Sequence, residues 1–291
     1  MSWREIPKID AHIHIVPDEV HKANPTSDDE FSYASAARFK ALMDEYNIAS
    51  AVIMPFNDPW LMSMDFTVDA VHRNLSEICK ADSRFFCFAD VDVRNTPKMT
   101  CDSIRKAFAG GSFRGIKLHP NNSGMDIDDE YNDAIAECAL ELDCPIAVHS
   151  YPSSEGDRQD SCSPARIQRW MKRHPGSKVI VCHLGGFQWE DAIKLDAFFD
   201  ISAILPDHAA RYGLQKTNEI LRQIGIDRLL FGTDWPCSRS VEPSAVMERY
   251  MTILDRMDFG LEEMHRIAHK NAEAFLGIPA VPQVPAGGLD D

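Results

Sequence analysis

The segment KIDAHIHIV, Lys8 to Val16, sets two histidines one residue apart inside a run that otherwise reads as a buried strand. Side chains i and i+2 of a strand point the same way. His12 and His14 are therefore expected to share a face with Asp10, while Ile9, Ala11, Ile13 and Ile15 turn to the other. Two imidazoles on one face can chelate a metal ion through one ring nitrogen each. Other short apolar runs end in similar chemistry: Lys117 and His119 in GIKLHP, His149 in AVHS, His183 in VCHLGG and Asp234 in FGTDWP. All of these except Lys117 are residue types that bind first-row metals. His72, His174, His265 and His269 fall elsewhere, in helical patterns or at helix ends. A lone buried histidine usually satisfies itself in a core, but several strand ends carrying His or Asp form the pattern of a metal site.

The runs that carry these residues alternate with amphipathic stretches along the chain. Eight read as strands: 8–15, 49–56, 84–93, 113–120, 145–150, 178–185, 197–202 and 228–236. Between and after them, helical periodicity covers 36–46, 67–81, 97–109, 130–142, 164–174, 190–195, 215–224, 243–255 and 261–275. Ser163 followed by Pro164 reads as an N-cap and first helical position. Eight strand–helix units predict an α/β protein of one domain, a (β/α)8 or TIM barrel, spanning residues 1–277. The Gly-rich first turn of a doubly wound sheet is missing. Residues 278–291, IPAVPQVPAGGLDD, read as a C-terminal tail rich in Pro and Gly. Barrel active sites are built where strands end, and every candidate above sits at such an end. The long polar segments 17–31 and 151–163 also follow strand ends and are candidates for substrate selection.

Composition narrows the partners. A formal net charge of −15, with no run of Lys or Arg, excludes nucleic acid and an anionic membrane as the main partner. The start of the chain has no apolar signal segment, and no apolar run approaches a membrane span. The eight cysteines show no Cys-x-x-Cys pairing and lie in helix or strand patterns. That usage predicts reduced, buried thiols and a cytoplasmic protein.

As a set, DAHIHI, RGIKLHP, VHS, CHLGG and LLFGTDWP resemble the amidohydrolase superfamily, in the branch called amidohydrolase 2, which also contains decarboxylases and lactonases. The resemblance runs from Ile9 to about Leu276. It implies that His12, His14, His149 and Asp234 ligate one divalent metal, most often zinc, with manganese, iron or cobalt as other candidates. It also implies His183 as the acid–base or polarising group and Asp234 as the proton shuttle. The activity implied is a metal-dependent hydrolase, in which hydroxide generated at the metal attacks a lactone, amide or related carbonyl. The alternative is a metal-dependent decarboxylase or hydratase acting on a carboxylated aromatic or muconate-like acid. Lys117 resembles a strand-4 lysine that relatives carbamylate to bridge a second metal; as an ammonium it would instead bind a substrate carboxylate. Because His119 shares the face of Lys117, it is a candidate substrate contact. Asn57 and Trp60 in PFNDPW and Arg239 in DWPCSR, beside Trp235, are candidates at the pocket rim, and Arg94 in DVDVRN has the same standing. The resemblance further implies a homodimer with a small-molecule substrate.

Overall fold

The computed structural model describes residues 1–16, 34–57, 67–237 and 241–281. Eight strands follow in order: β1 (Lys8–Ile13), β2 (Ile48–Ile53), β3 (Phe85–Ala89), β4 (Phe113–Leu118), β5 (Ile146–Val148), β6 (Val179–Val181), β7 (Phe198–Asp200) and β8 (Leu229–Leu230). Each pairs in parallel with the next. The circle closes where the β1 segment meets the chain leaving β8. Ala11 N donates to the Phe231 carbonyl at 2.8 Å, Asp234 N to the His12 carbonyl at 2.8 Å, and His14 N to the Trp235 carbonyl at 2.7 Å. The sequence-predicted (β/α)8 barrel is the observed fold.

The main crossover helices are α1 (Ala36–Glu45), α2 (Val68–Ala81), α3 (Pro97–Phe108), α4 (Glu130–Glu141), α5 (Pro164–Arg173), α6 (Ile204–Ile224) and α7 (Val246–Leu254). A final helical stretch runs through Leu261–His265, a π-helical turn and Asn271–Leu276. The first five start on a side chain that accepts a backbone N–H: Ser35, Thr67, Thr96, Asp129 and Ser163. Such caps satisfy donors that the first helical turn leaves open. Proline opens α3 and α5, where its missing N–H costs nothing. Among the described residues no helix is long and apolar enough to cross a membrane.

Two apolar layers hold the barrel. The larger lies between strands and helices and includes Ile53, Phe85, Ile116, Leu75 and Trp170. The smaller joins Ile9, Ala11, Val52, Phe88, Ala147, Ile180 and Leu230 from six strands, which is the packed interior. Ala272, Leu276, Ile278 and Val281 pack into that second layer, and Phe275 stacks on Phe198 at 3.9 Å. The last helix and the start of the tail therefore cover the N-terminal end of the barrel. Residues 282–291 lie outside the described residues, as does the segment 17–31.

Three expectations need correction. Simple alternation fails in β1, where the register against β2 shifts between Lys8 and Ile9 and again between Asp10 and Ile13. As a result Ile9 and Ala11 pack in the interior, while Ile13 and Ile15 join the outer layer. The extra residue lets His12 and His14 approach one site without strict period 2. Second, most strands stop two or more residues short of their apolar runs. There the chain leaves the ladder to turn His14, His119, His149, His183 and Asp234 across the mouth. Third, α6 starts at Ile204 rather than near Gln215, because Gly213 at φ 78° interrupts a helix that the sequence shows only in its second half. The 190–195 pattern yields one short turn, Trp189–Ala192.

Two residues test this packing. A Cβ at Gly115 in β4 would run into the Phe88 ring and come within 2.7 Å of the Pro145 carbonyl oxygen. Gly115→Ala is expected to cost about 3 kcal/mol in urea unfolding; an unchanged midpoint would contradict the interior packing described. Lys8 is fully buried and donates to the Trp3 and Ile6 carbonyls at 2.6 and 2.7 Å. Burial lowers its pKa to about 7 from an ordinary 10.5. A neutral amine keeps two N–H donors, enough for both carbonyls. Between pH 7 and 10.5 the unfolded chain binds the extra proton, so this residue makes stability rise with pH across that window. The difference in unfolding midpoint between the native chain and Lys8→Met should change with pH there, and a constant difference would exclude the effect.

Candidate metal centre and active site

Backbone pairing sets the geometry before any side chain does. The bonds that close the barrel lock Asp234 against His12 and His14. Asp234 takes a left-handed conformation, φ 64°, which Asp tolerates better than most residues, and this swings its carboxylate across the mouth. Its Oδ1 lies 3.1 Å from Nε2 of His12 and 3.1 Å from Nε2 of His14.

The other ring nitrogens reveal what those Nε2 atoms carry. His12 Nδ1 is 2.9 Å from Asp200 Oδ2, and His14 Nδ1 is 2.8 Å from the Met54 carbonyl oxygen. Both partners accept only, so each ring places an N–H there and turns Nε2 towards Asp234. Burial, and then the nearby Lys117 ammonium, push the His12 pKa down to about 4, which keeps the ring neutral. Two Nε2 atoms and a carboxylate oxygen thus converge. Such a donor set repels itself unless a cation sits among its members, and imidazole with carboxylate suits a first-row divalent metal. His12, His183 and Asp234 offer ligand atoms that all lie within 4.8 Å of one another. The residues fit a metal.

His183 leaves β6 in a left-handed turn, φ 58°. Its Nδ1 is 2.9 Å from the Ser202 carbonyl oxygen and its Nε2 3.0 Å from Nδ1 of His149. His149 in turn stacks on His119, with centroids 3.7 Å apart. Tyr151 approaches His183 at 6.0 Å, and Phe56 stacks on His14 at 4.4 Å. The expected metal and catalytic residues, His12, His14, His149, His183 and Asp234, therefore form one connected cluster at the C-terminal mouth.

Lys117 lies deeper than a rim contact. It is 1 % exposed, with Nζ 3.4 Å from His12 Nε2 and 3.3 Å from Cys182 Sγ. His119 caps the short helix Pro120–Ser123, its Nδ1 accepting from Asn122 N at 3.3 Å. Burial drives the His119 pKa well below 6.5. Asn57 ties strand ends together, its amide donating to Asp90 and to the Lys117 carbonyl. Arg94 pairs with Asp92 at 2.9 Å. Trp60 and Arg239 lie outside the described residues.

Asp200, at the end of β7, is the residue that sequence reasoning missed. Its carboxylate accepts from His12 Nδ1, from His183 N at 2.8 Å, and from the Ser202 amide and hydroxyl. Burial alone would raise its pKa, but His12, His183 and these donors outweigh burial and hold it well below the usual carboxylate range. The same balance holds for Asp234, where His12, His14 and His183 overcome burial. Asp10 differs. Burial lifts it to about 7 although Thr233 donates at 2.7 Å. The signal for Asp200 was available: AFFDIS is one more apolar run ending in a carboxylate.

With the site described, comparison with known proteins is informative. No curated protein sequence matches the chain. Solved structures of similar fold include 5-carboxyvanillate decarboxylase from Novosphingobium aromaticivorans, complexed with manganese and a nitrobenzoic acid (15% identity, 94% of this chain and 97% of that one, TM-score 0.67). Dihydroxybenzoic acid decarboxylase from Polaromonas, with manganese and 2-nitroresorcinol, is similar at 16% identity over 95% and 98% of the two chains, TM-score 0.70. A protein from Acinetobacter baumannii assigned as a 2-pyrone-4,6-dicarboxylic acid hydrolase, with citric acid bound, matches at 14% identity over 94% and 100%, TM-score 0.66. At these identities the likeness establishes the barrel. The family model described as amidohydrolase matches residues 9–278, nearly the whole chain. With its strand-end histidines and aspartate in place, this chain belongs to the amidohydrolase family.

Proposed function

We propose that the chain is a metal-dependent hydrolase acting on a lactone, amide or related small carbonyl compound. The observation that carries this reading is that Asp234 Oδ1 lies 3.1 Å from both His12 Nε2 and His14 Nε2, with the remaining ring nitrogens of both imidazoles already committed. His12, His14 and Asp234 would hold one divalent ion, zinc first and manganese next, with His149 or His183 completing the set. When bound, the ion supplies Lewis acidity and lowers the pKa of water to about 7.

The chain's own residues account for the proton. Asp234 accepts the proton of the attacking water and returns it to the departing oxygen or nitrogen as the carbonyl–heteroatom bond breaks, so the carboxylate is regenerated. His183, anchored at Nδ1 by the Ser202 carbonyl, turns Nε2 to the same space and serves as the acid–base group. Asp200 acts through others: its carboxylate fixes the His12 tautomer and orientation, a role that second partners of ligating histidines commonly have.

A second reading, non-oxidative decarboxylation of an aromatic or muconate-like acid, uses the same residues. It is supported by the two decarboxylases of similar fold and by Lys117, a buried cation that could offset substrate charge. Lys117 as a carbamate bridging a second metal is a weaker form of the proposal, because its ammonium already faces His12 and Cys182. We also propose a cytoplasmic homodimer; Cys79, Cys87, Cys101, Cys138, Cys144, Cys162 and Cys182 are buried and form no disulfide, which supports a reducing compartment.

Elemental analysis of the purified protein should find about one equivalent of divalent metal per chain. Two equivalents would favour the carbamate, and none, even after adding zinc or manganese, would overturn the metal site. A panel of lactones, amides and hydroxybenzoic acids, followed by ring opening and by CO2 release, separates the two reactions. On the best substrate Asp234→Asn should reduce turnover on the order of a thousandfold while metal is retained; near-normal turnover would remove its role. Asp200→Asn should weaken metal affinity roughly 10- to 100-fold in a competition with a chelator, and an unchanged affinity would deny it the positioning role.

A further inference from the structure

A second cavity lies outside the barrel, between α2 and α3, well apart in its lining from the metal centre. It is a half-open groove of about 310 Å³, lined by Asp69, His72, Arg73, Ser76 and Lys80 of α2, and by Ser103, Lys106 and Ala107 of α3, with Gly110 and Phe113 at its base. The α2 residues fall at spacings of three or four, so a single stripe of that helix faces the opening.

Its charge is unusual for this chain. Lys106 is matched by Asp69 at 2.9 Å, a neutral pair. Arg73 and Lys80 are exposed and make no ion pair among the described residues. A protein with 45 acidic against 30 basic side chains thus leaves two cations unmatched on one concave surface. The wall behind them is built rather than incidental. His72, 5 % exposed, accepts the Asp90 N–H at Nε2 (2.8 Å), which leaves Nδ1–H to donate to Ser103 Oγ at 3.2 Å. Ser103 donates in turn to Asp69 at 2.5 Å. The His72 ring meets Phe113 edge-on at 5.4 Å, so the base is apolar.

We propose that this cavity binds a small organic carboxylate through Arg73 and Lys80, with its hydrocarbon part against Phe113 and Ala107. Two unmatched cations on one concave surface attract an anion. At about 30 Å³ per water, the space holds on the order of ten water-sized groups, far more than one phosphate or sulfate fills. The mixture of apolar base and a few charged groups at the rim is the usual make-up of a small-ligand pocket. Arg73 offers a planar fork matched to a carboxylate, and Lys80 a point charge beside it. This site does not depend on the reaction assigned to the metal centre. The Asp90 side chain that receives Asn57 belongs to the same residue whose N–H holds His72, so the cavity wall and the β2–β4 strand ends share one hydrogen-bonded frame.

The test uses the full-length protein as purified, with benzoate and inorganic phosphate as probes. Histidine ring resonances are followed by NMR during each titration, which separates His72 from the imidazoles of the metal centre. Benzoate should shift His72 along a saturable curve that weakens with added salt. In Arg73→Gln/Lys80→Gln, a double change at two exposed positions, that curve should move to at least about tenfold higher concentration, while the curve for the metal-centre imidazoles is unchanged. Three results would each overturn the proposal: benzoate shifting only the metal-centre histidines, an unaltered His72 curve in the double variant, or phosphate saturating His72 as readily as benzoate, which would remove the organic part of the ligand.

Discussion

The charge on Asp200 is the constraint from which the site is built. A carboxylate sealed inside a barrel is costly unless donors surround it. Here the donors are His12 Nδ1, the His183 amide and both polar groups of Ser202. Each bond that keeps Asp200 ionised also fixes something else. His12 is held in the tautomer that turns a lone pair towards Asp234. His183 is held in a left-handed turn at the end of β6, a conformation that a non-glycine residue adopts only when its surroundings enforce it. One buried charge thus orients two imidazoles from two strands, and the backbone bonds between β1 and the segment after β8 bring Asp234 to meet them.

This arrangement divides the barrel into two ends with different physics. Towards the N-terminal end the interior is apolar, filled by Ile9, Val52, Phe88 and Leu230 and covered by the last helix. Towards the other end nearly every inward side chain is polar: Asp10, His12, Lys117, His183, Asp200, Ser202, Asp234. The apolar half supplies the burial that stabilises the fold, and the polar half spends part of that stability on preorganised groups. Such division lets a rigid scaffold hold catalytic groups within the narrow tolerances that chemistry demands.

Much of this was legible in the sequence. The eight strand–helix alternations were readable because parallel strands buried on both faces are short, apolar and separated by helical periodicity. The clustering of His12, His14, His149, His183 and Asp234 was readable because each stands at the same relative place, just past an apolar run. What failed had local causes. Period 2 broke in β1 because a register shift is a property of pairing with β2, which no single segment encodes. The first half of α6 was hidden by Gly213, and Trp60 and Arg239 stand on segments outside the described residues. Asp200 stands at a strand end as those histidines and Asp234 do, in AFFDIS, so its omission had no structural cause.

Lys117 completes the electrostatic logic. Its ammonium is the one cationic side chain, among the described residues, within reach of the His12 Nε2 lone pair, at 3.4 Å. Nζ also donates to Cys182 Sγ, 3.3 Å away. A cation at this depth balances Asp200 and Asp234, two ionised carboxylates on one small set of strand ends, and lowers the repulsion between them. It also disfavours protonation of His12, keeping that nitrogen available as a donor to a metal. A neutral residue here would leave both carboxylates less well compensated and His12 easier to protonate. As an ammonium the lysine acts through its neighbours' charges, a role that a carbamate would not fill.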